Sequence, residues 1–393
     1  MSRYVSIEKN SINEIPIYAM LLGMLMIQIG SPIQVEVIMS LGVWVIFIAS
    51  LLAFVVAIRR TTPDKYLFVF IVLVLTLMIS LVRSLDFSYN NLVVMFGFLE
   101  IPIFMLAYPK INSGRVKKVL YVCFFVLSVY YIILSFTSLS HVYYTDYGKR
   151  YMEFLTLGLN NPNETAMCLF ACFVVIFSMF FEIRSSVLKL VVFADAIMVA
   201  RLIWLTMSRT GIIMSAAIVV IALLFRKKKI PVVLRVIAFG SSIVFLVVTL
   251  LLEQTLDTLF VLGDIFNTGR SNIYERVLNS LDFLSFFVGR YEYRFENLHN
   301  AFWSIFATIG LFGVGAYYWF ITSKVRDIHF YAASSQKTRK FAYVGLLLIF
   351  IYTATEAAFL VSGGSFAAMV TSIYILSVFE KEKNAPEELL QEA

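Results

Sequence analysis

Val37–Ile58 reads VIMSLGVWVIFIASLLAFVVAI, and Arg59-Arg60 follow at once. As a helix this uncharged run is about 33 Å long, enough to cross the hydrocarbon core of a bilayer. The two arginines then stop it at a polar boundary. The same pattern recurs along the chain. Apolar runs cover roughly 15–30, 37–58, 66–85, 92–108, 119–138, 163–181, 187–206, 211–225, 232–252, 301–322, 341–361 and 365–379. None alternates with the period of a barrel strand, so each is read as a helix. A composition of 60% hydrophobic and 15% charged residues, with a mean hydropathy of +0.86, excludes a soluble globular domain. The expectation is an all-α integral membrane protein with about twelve transmembrane helices. Residues 1–393 form one polytopic domain, with a long external segment at 253–300 between the ninth and tenth helices and a charged tail at 380–393. Met1–Asn10 is polar and no small-residue cleavage site follows the first run, so no cleavable signal is expected.

Basic residues set the orientation, because short cytoplasmic loops accumulate them. With both termini cytoplasmic, the inside segments hold Arg59, Arg60 and Lys65, then Lys110–Lys118, Arg184–Lys189, Arg226–Arg235 and Lys324–Lys340. Of the 32 basic residues, only Arg83, Lys149, Arg150, Arg201, Arg209, Arg270, Arg276, Arg290 and Arg294 fall outside or near outer helix ends. The net charge of +7 is thus explained by topology, and no nucleic-acid partner is called for. External arginines are disfavoured by translocation, so a group of them is notable. Pairing with Asp264, Glu275, Glu292 and Glu296 is the bland reading.

Three outer motifs carry residues suited to chemistry. Asn160-Asn161-Pro162-Asn163-Glu164 opens a helix: Pro162 suits the first helical position and the asparagines can cap it. Glu164 also places an acid just inside the membrane, where an acid faces a cavity or a partner. Ser208-Arg209-Thr210-Gly211 joins two helices with almost no loop. A guanidinium at a helix start makes an anion site, unless Arg209 only snorkels to the headgroups. Arg201, two turns earlier, is expected deeper on the preceding helix, where it needs a partner or a wet cavity. The third motif is Gly269-Arg270-Ser271, continued by Tyr274, Arg290, Arg294 and His299-Asn300. Asn272–Leu281 has the spacing of an amphipathic helix, lying on the membrane surface or packed as a connector. Asn300 suits a helix cap, and His299 suits proton transfer or a headgroup-level position. Ile309-Gly310-Leu311-Phe312-Gly313-Val314-Gly315 then offers a small-residue face for close helix packing.

Weaker candidates are His141, Asp146, Lys149 and Arg150 in a polar loop, Glu356 near an outer helix end, and Asp195 in mid-helix. His329 falls on the cytoplasmic side and takes no role. Cys123, Cys168 and Cys172 lie within apolar runs and read as packing residues; no ligand set for a metal is visible.

In this order and on one side, the three motifs resemble the O-antigen polymerase and O-antigen ligase superfamily. The likeness covers about residues 155–320, with only hydropathy shared before that. Tyr274 stands where such proteins commonly carry Trp after Gly-Arg. The resemblance implies a polyprenyl-diphosphate-dependent glycosyltransferase at the outer face of a bacterial cytoplasmic membrane, with no cofactor. Its substrate would be an undecaprenyl-diphosphate-linked glycan, and membrane lipids and a chain-length regulator protein its partners. On that footing Arg209 and Arg270 neutralise the leaving diphosphate, His299 takes the acceptor's proton, and Arg201, Arg290, Arg294, Asn160, Asn163, Glu164, Asn300 and Tyr274 contact substrate. A polymerase is favoured over a ligase, and a lipid-linked oligosaccharide flippase is the reading from another class.

Overall fold

The structure, a computed structural model, describes residues 12–60, 65–84, 89–137, 141–146, 150–159, 161–256, 270–290, 292, 298–332, 337–361 and 363–379. Helices dominate it. In chain order they are α1 (Ile15–Gly30), α2 (Glu36–Arg60), α3 (Lys65–Ser84), α4 (Tyr89–Ala107) and α5 (Gly114–Leu134). A hairpin of β1 (His141–Asp146) and β2 (Arg150–Leu155) follows, then α6 (Pro162–Phe180), α7 (Ser186–Leu205), α8 (Arg209–Leu224) and α9 (Val232–Leu256). The last third holds α10 (Arg270–Ser280), α11 (Phe283–Val288), α12 (Ala301–Ala332), α13 (Lys337–Tyr352), α14 (Ala358–Val361) and α15 (Gly364–Ser377).

Local chemistry sets several helix starts. Ser113, Asn161, Ser185 and Ser208 each accept a hydrogen bond from a first-turn amide. Among the described residues, five helices are long and apolar enough to cross a membrane: α2, α3, α5, α6 and α12. Shorter apolar helices are α1, α8, α15, the second half of α4 and most of α9. Helix α7 has the length but carries Lys189, Asp195 and Arg201.

Packing separates an inner group from an outer one. Helix α6 is buried on every side from Thr165 to Ile176, and α15 is nearly as enclosed. Both pack on α13. The outer helices instead show apolar stripes: Phe68, Leu75 and Ile79 on α3, Val187, Leu190 and Ile197 on α7, Val233, Ile237 and Val244 on α9. Apolar faces this extensive are solvated by lipid, so the protein is membrane-embedded.

The two ends of the bundle differ. At one end, Tyr66 bonds Asp327 and Lys117 pairs with Glu182. There Lys340 also donates to the carbonyls of Phe225 and Lys228, at 3.2 and 2.9 Å. The opposite end carries the hairpin, α10, α11 and the three outer motifs.

Three features depart from the sequence reading. The segment read as a polar loop forms an antiparallel hairpin, with His141 opposite Leu155 and Asp146 opposite Arg150. Its run of Val, Tyr, Thr and Phe favours strands, and pairing satisfies backbone groups near the membrane. Second, α12 is broken at Gly310 (φ 67°, ψ −173°). Gly310 meets the backbone of Phe287 and Val288, while Gly289 (φ 76°) meets that of Thr308 and Ile309. The two segments cross at glycines because no side chain fits there and few tolerate that φ. Gly315, expected in the packing face, borders open space instead. Third, the 341–361 run is two helices separated by the irregular stretch 353–357.

Candidate functional site

Helix α13 ends at Tyr352, and the stretch Tyr352-Thr353-Ala354-Thr355-Glu356 becomes a docking strip for all three outer motifs. The first motif meets it through Asn163, whose Nδ2 donates to Glu356 Oε1 at 2.9 Å. Asn161 caps the same helix by accepting from the Asn163 amide, also at 2.9 Å.

The second motif meets it twice. Ser208 Oγ lies 3.3 Å from the Tyr352 hydroxyl, and Thr355 Oγ1 donates to Thr210 Oγ1 at 3.1 Å. A side chain at Gly211 would begin 2.9 Å from Ala166 Cβ and 3.3 Å from the Tyr352 hydroxyl. The glycine of this motif therefore permits close packing of α8 on α6 and α13, and makes no turn.

The third motif meets it most closely. The Ala301 amide donates to the Thr353 carbonyl at 2.9 Å. Asn300 is fully buried; its Nδ2 donates to the carbonyls of Ser242 (2.9 Å) and Ala354 (3.0 Å). Its Oδ1 accepts from the Trp303 amide at 3.0 Å, capping α12. Both donor hydrogens of Asn300 are thus committed to protein, and its work is to clamp α9, α12 and the strip together. His299, one residue earlier, lies 3.4 Å through Nδ1 from Glu356 Oε2. The His299 side chain is 26% exposed and that of Glu356 only 6%. Glu164 is an electrostatic neighbour of Glu356. One buried carboxylate therefore gathers Asn163 and His299, with a second carboxyl close by.

Backbone strain gathers at the same place. Among described non-glycine residues with positive φ, Leu157 (47°) precedes the first motif, Met207 (55°) adjoins Ser208, and His299 (54°) lies in the third. The fourth, Gln34, is in the α1–α2 connection. Each such residue costs of the order of 1–3 kcal/mol, tolerated where the surroundings over-determine it.

Beside the strip lies an apolar groove of about 360 Å³ between α8, α9 and the end of α13. Thr210, Ser241 and Thr355 are its polar lining; Ile213, Val244, Phe245, Val248 and Ala354 supply the apolar part.

The remaining site residues are distributed as follows. Arg209 is the first residue of α8 and is exposed at the rim. Arg270 is the first residue of α10. Tyr274, one turn on, is buried edge-on against Trp303 at 5.8 Å between centroids, so α10 lies over the start of α12. Arg290 is tied into its own segment, donating to the Ser280 carbonyl at 3.2 Å and pairing with Glu292 at 2.6 Å. Arg201 falls on the exposed stripe of α7 with Ile197 and Trp204, off the bundle rather than in its interior. Asn160, Arg294, the Arg270 side chain and the tail 380–393 lie outside the described residues, as do the side chains of His141, Asp146 and Arg150 and the whole of Lys149. Asp195 is buried and accepts from Ser128 Oγ at 2.8 Å. No cluster of His, Cys, Asp and Glu suited to a metal occurs among the described residues.

The sequence reading placed Glu356 among minor candidates, yet it is the hub. The available signal was an acid inside an apolar run, preceded by Thr353 and Thr355. The chain matches no family model, no curated protein and no solved structure.

Proposed function

We propose that this chain is a polyprenyl-diphosphate-dependent glycosyltransferase that polymerises lipid-linked oligosaccharide repeat units of a bacterial surface polysaccharide. The observation that carries this reading is the convergence of the three motifs on Tyr352–Glu356, next to a lipid-compatible groove. A lipid-linked diphosphate needs an apolar track for its tail and cations at the track's mouth, with a proton acceptor nearby. Ile213, Val244, Phe245 and Val248 supply the first; the exposed Arg209, next to Thr210 of the groove, supplies a cation, Arg270 is assigned to the same role from its motif alone, and His299 is the acceptor.

In this reading about twelve spans place both termini in the cytoplasm and the His299 end at the outer face of the inner membrane. The acceptor hydroxyl oxygen attacks the anomeric carbon of the donor sugar. Its proton passes to His299 Nε2, because Nδ1 faces Glu356. The carbon–oxygen bond to the diphosphate breaks, and the lipid diphosphate leaves with the electron pair. Arg209 and Arg270 neutralise the charge that develops there. Attack opposite the leaving group inverts the anomeric centre. Glu356 orients the imidazole and stabilises it once protonated.

The test is product analysis in membranes supplied with lipid-linked repeat units. Long lipid-linked chains are expected from the wild type, and their loss from Arg209→Ala and Arg270→Ala at unchanged membrane abundance. Glycan transferred to a non-polyprenyl acceptor would make the protein a ligase. Movement of repeat units across the membrane without polymer would make it a flippase.

A further inference from the structure

At the far end of α12 from His299, after roughly 40 Å of helix, a second cleft of about 480 Å³ opens between α9 and α12. It is built differently from the groove beside the strip. Arg235 of α9 and Arg326 of α12 both line it, with Thr322 and Ser323 as its hydroxyls and Phe239 and Trp319 among its apolar residues. The Nη1 atom of Arg235 is buried and has no hydrogen-bond partner among the described residues. His329 and Tyr343, bonded to each other at 2.9 Å, are its electrostatic neighbours and supply no negative charge. Arg326 makes a weak ion pair, 3.8 Å to Asp327 on its own helix, and also neighbours the Tyr66 hydroxyl, which bonds that same carboxylate.

Arg326 is half exposed, so water already screens it, and the stronger demand for an anion in the shared cleft comes from Arg235. A buried guanidinium hydrogen without an acceptor demands one. The apolar wall of Phe239 and Trp319 opens toward the lipid-facing stripe of α9, where Val236 and Ile237 are exposed. The ligand must therefore combine a phosphate with hydrocarbon. We propose that this cleft binds the headgroup of an anionic phospholipid. Arg235 and Arg326 hold the phosphate, the Ser323 hydroxyl donates to it, and an acyl chain lies on Phe239 and Trp319.

The test uses the purified full-length protein, delipidated in a non-ionic detergent and offered phosphatidylglycerol or phosphatidylcholine, with bound lipid read by native mass spectrometry. Wild type should retain phosphatidylglycerol in preference to phosphatidylcholine. Arg235→Ala and Arg326→Ala should each lower that preference about tenfold, the equivalent of one charge-assisted hydrogen bond. Arg115→Ala, a basic residue at the same end but outside the cleft, should keep it. Inorganic phosphate at millimolar concentration should not displace the lipid, because it lacks the chains. Equal retention of both lipids by the wild type would overturn the proposal without any variant having to fold. So would displacement by inorganic phosphate, or an unchanged preference in Arg235→Ala.

Discussion

At the scale of single residues, His299 and Asn300 divide the work that one motif suggested. Asn300 is turned inward and spent on three protein hydrogen bonds, while His299 is left partly open against Glu356. Neighbouring residues take opposite fates because the positive φ of His299 swings its side chain away from the helix that Asn300 caps. Asn300→Ala should therefore lower stability by about 2 kcal/mol or more, since it removes a cap and strands two buried carbonyls. A detergent melting curve checks this. Glu356→Gln keeps the shape and the bond from Asn163 but removes the charge that supports a protonated His299. On the proposed polymerase reading, polymer yield should fall severalfold in that variant with the melting temperature nearly unchanged. Wild-type yield would remove Glu356 from the mechanism. The residue types of this cluster were legible in the sequence, but their hub was not. Glu356 lies 57 residues from His299 and 193 from Asn163, and no local pattern links such distant positions.

At the scale of elements, the breaks matter more than the helices. Gly310 interrupts α12, and 353–357 separates α13 from α14. In both places the freed backbone and side chains are covered by protein, the condition under which irregular chain is tolerated at membrane depth. The α11 segment is pinned beside the first break. Arg83 reaches the Gly289 carbonyl at 3.2 Å and Asp282 at 3.2 Å. Asp282 in turn caps α11 by accepting from the Ser285 amide at 2.6 Å, which holds its carboxyl below the usual aspartate range, with Arg83 adding to the effect. A depressed carboxyl stabilises the fold above its unfolded pKa, and the contribution is lost as pH falls through the folded value. Gly310→Ala and Gly289→Ala should each cut the yield of folded protein sharply, because a methyl group would meet backbone at a positive φ. Gly315→Ala should be nearly neutral, its space being empty. Equal yields for all three would show that the crossing is not held as described. The sequence could not separate these glycines. Gly310, Gly313 and Gly315 read as one packing face in the sequence, and the partner that makes Gly310 a break lies at 287–289.

At the scale of the whole molecule, the chain arranges enclosed helices inside lipid-facing ones. Cys168 and Cys172 sit on the fully enclosed α6, whereas Cys123 on α5 is partly accessible. A membrane-permeant maleimide should label Cys123 first and reach the other two only on unfolding, which mass spectrometry of timed samples would show. Hydropathy alone established that this is a helical membrane protein, because an uncharged run of 37–58 has no other stable setting and its length is fixed by the bilayer. Motif order, through the resemblance it carries, gave the expectation that the asparagines, Ser208-Arg209, Gly269-Arg270 and His299-Asn300 act together. Tertiary structure decided which of them touch. It put Glu356 at their centre, turned Arg201 off the bundle and gave Asn300 to the scaffold. The physical reason is that hydrophobicity acts per residue and shows in any window. A buried carboxylate's partners depend instead on how remote helix ends meet, which only the packed chain specifies.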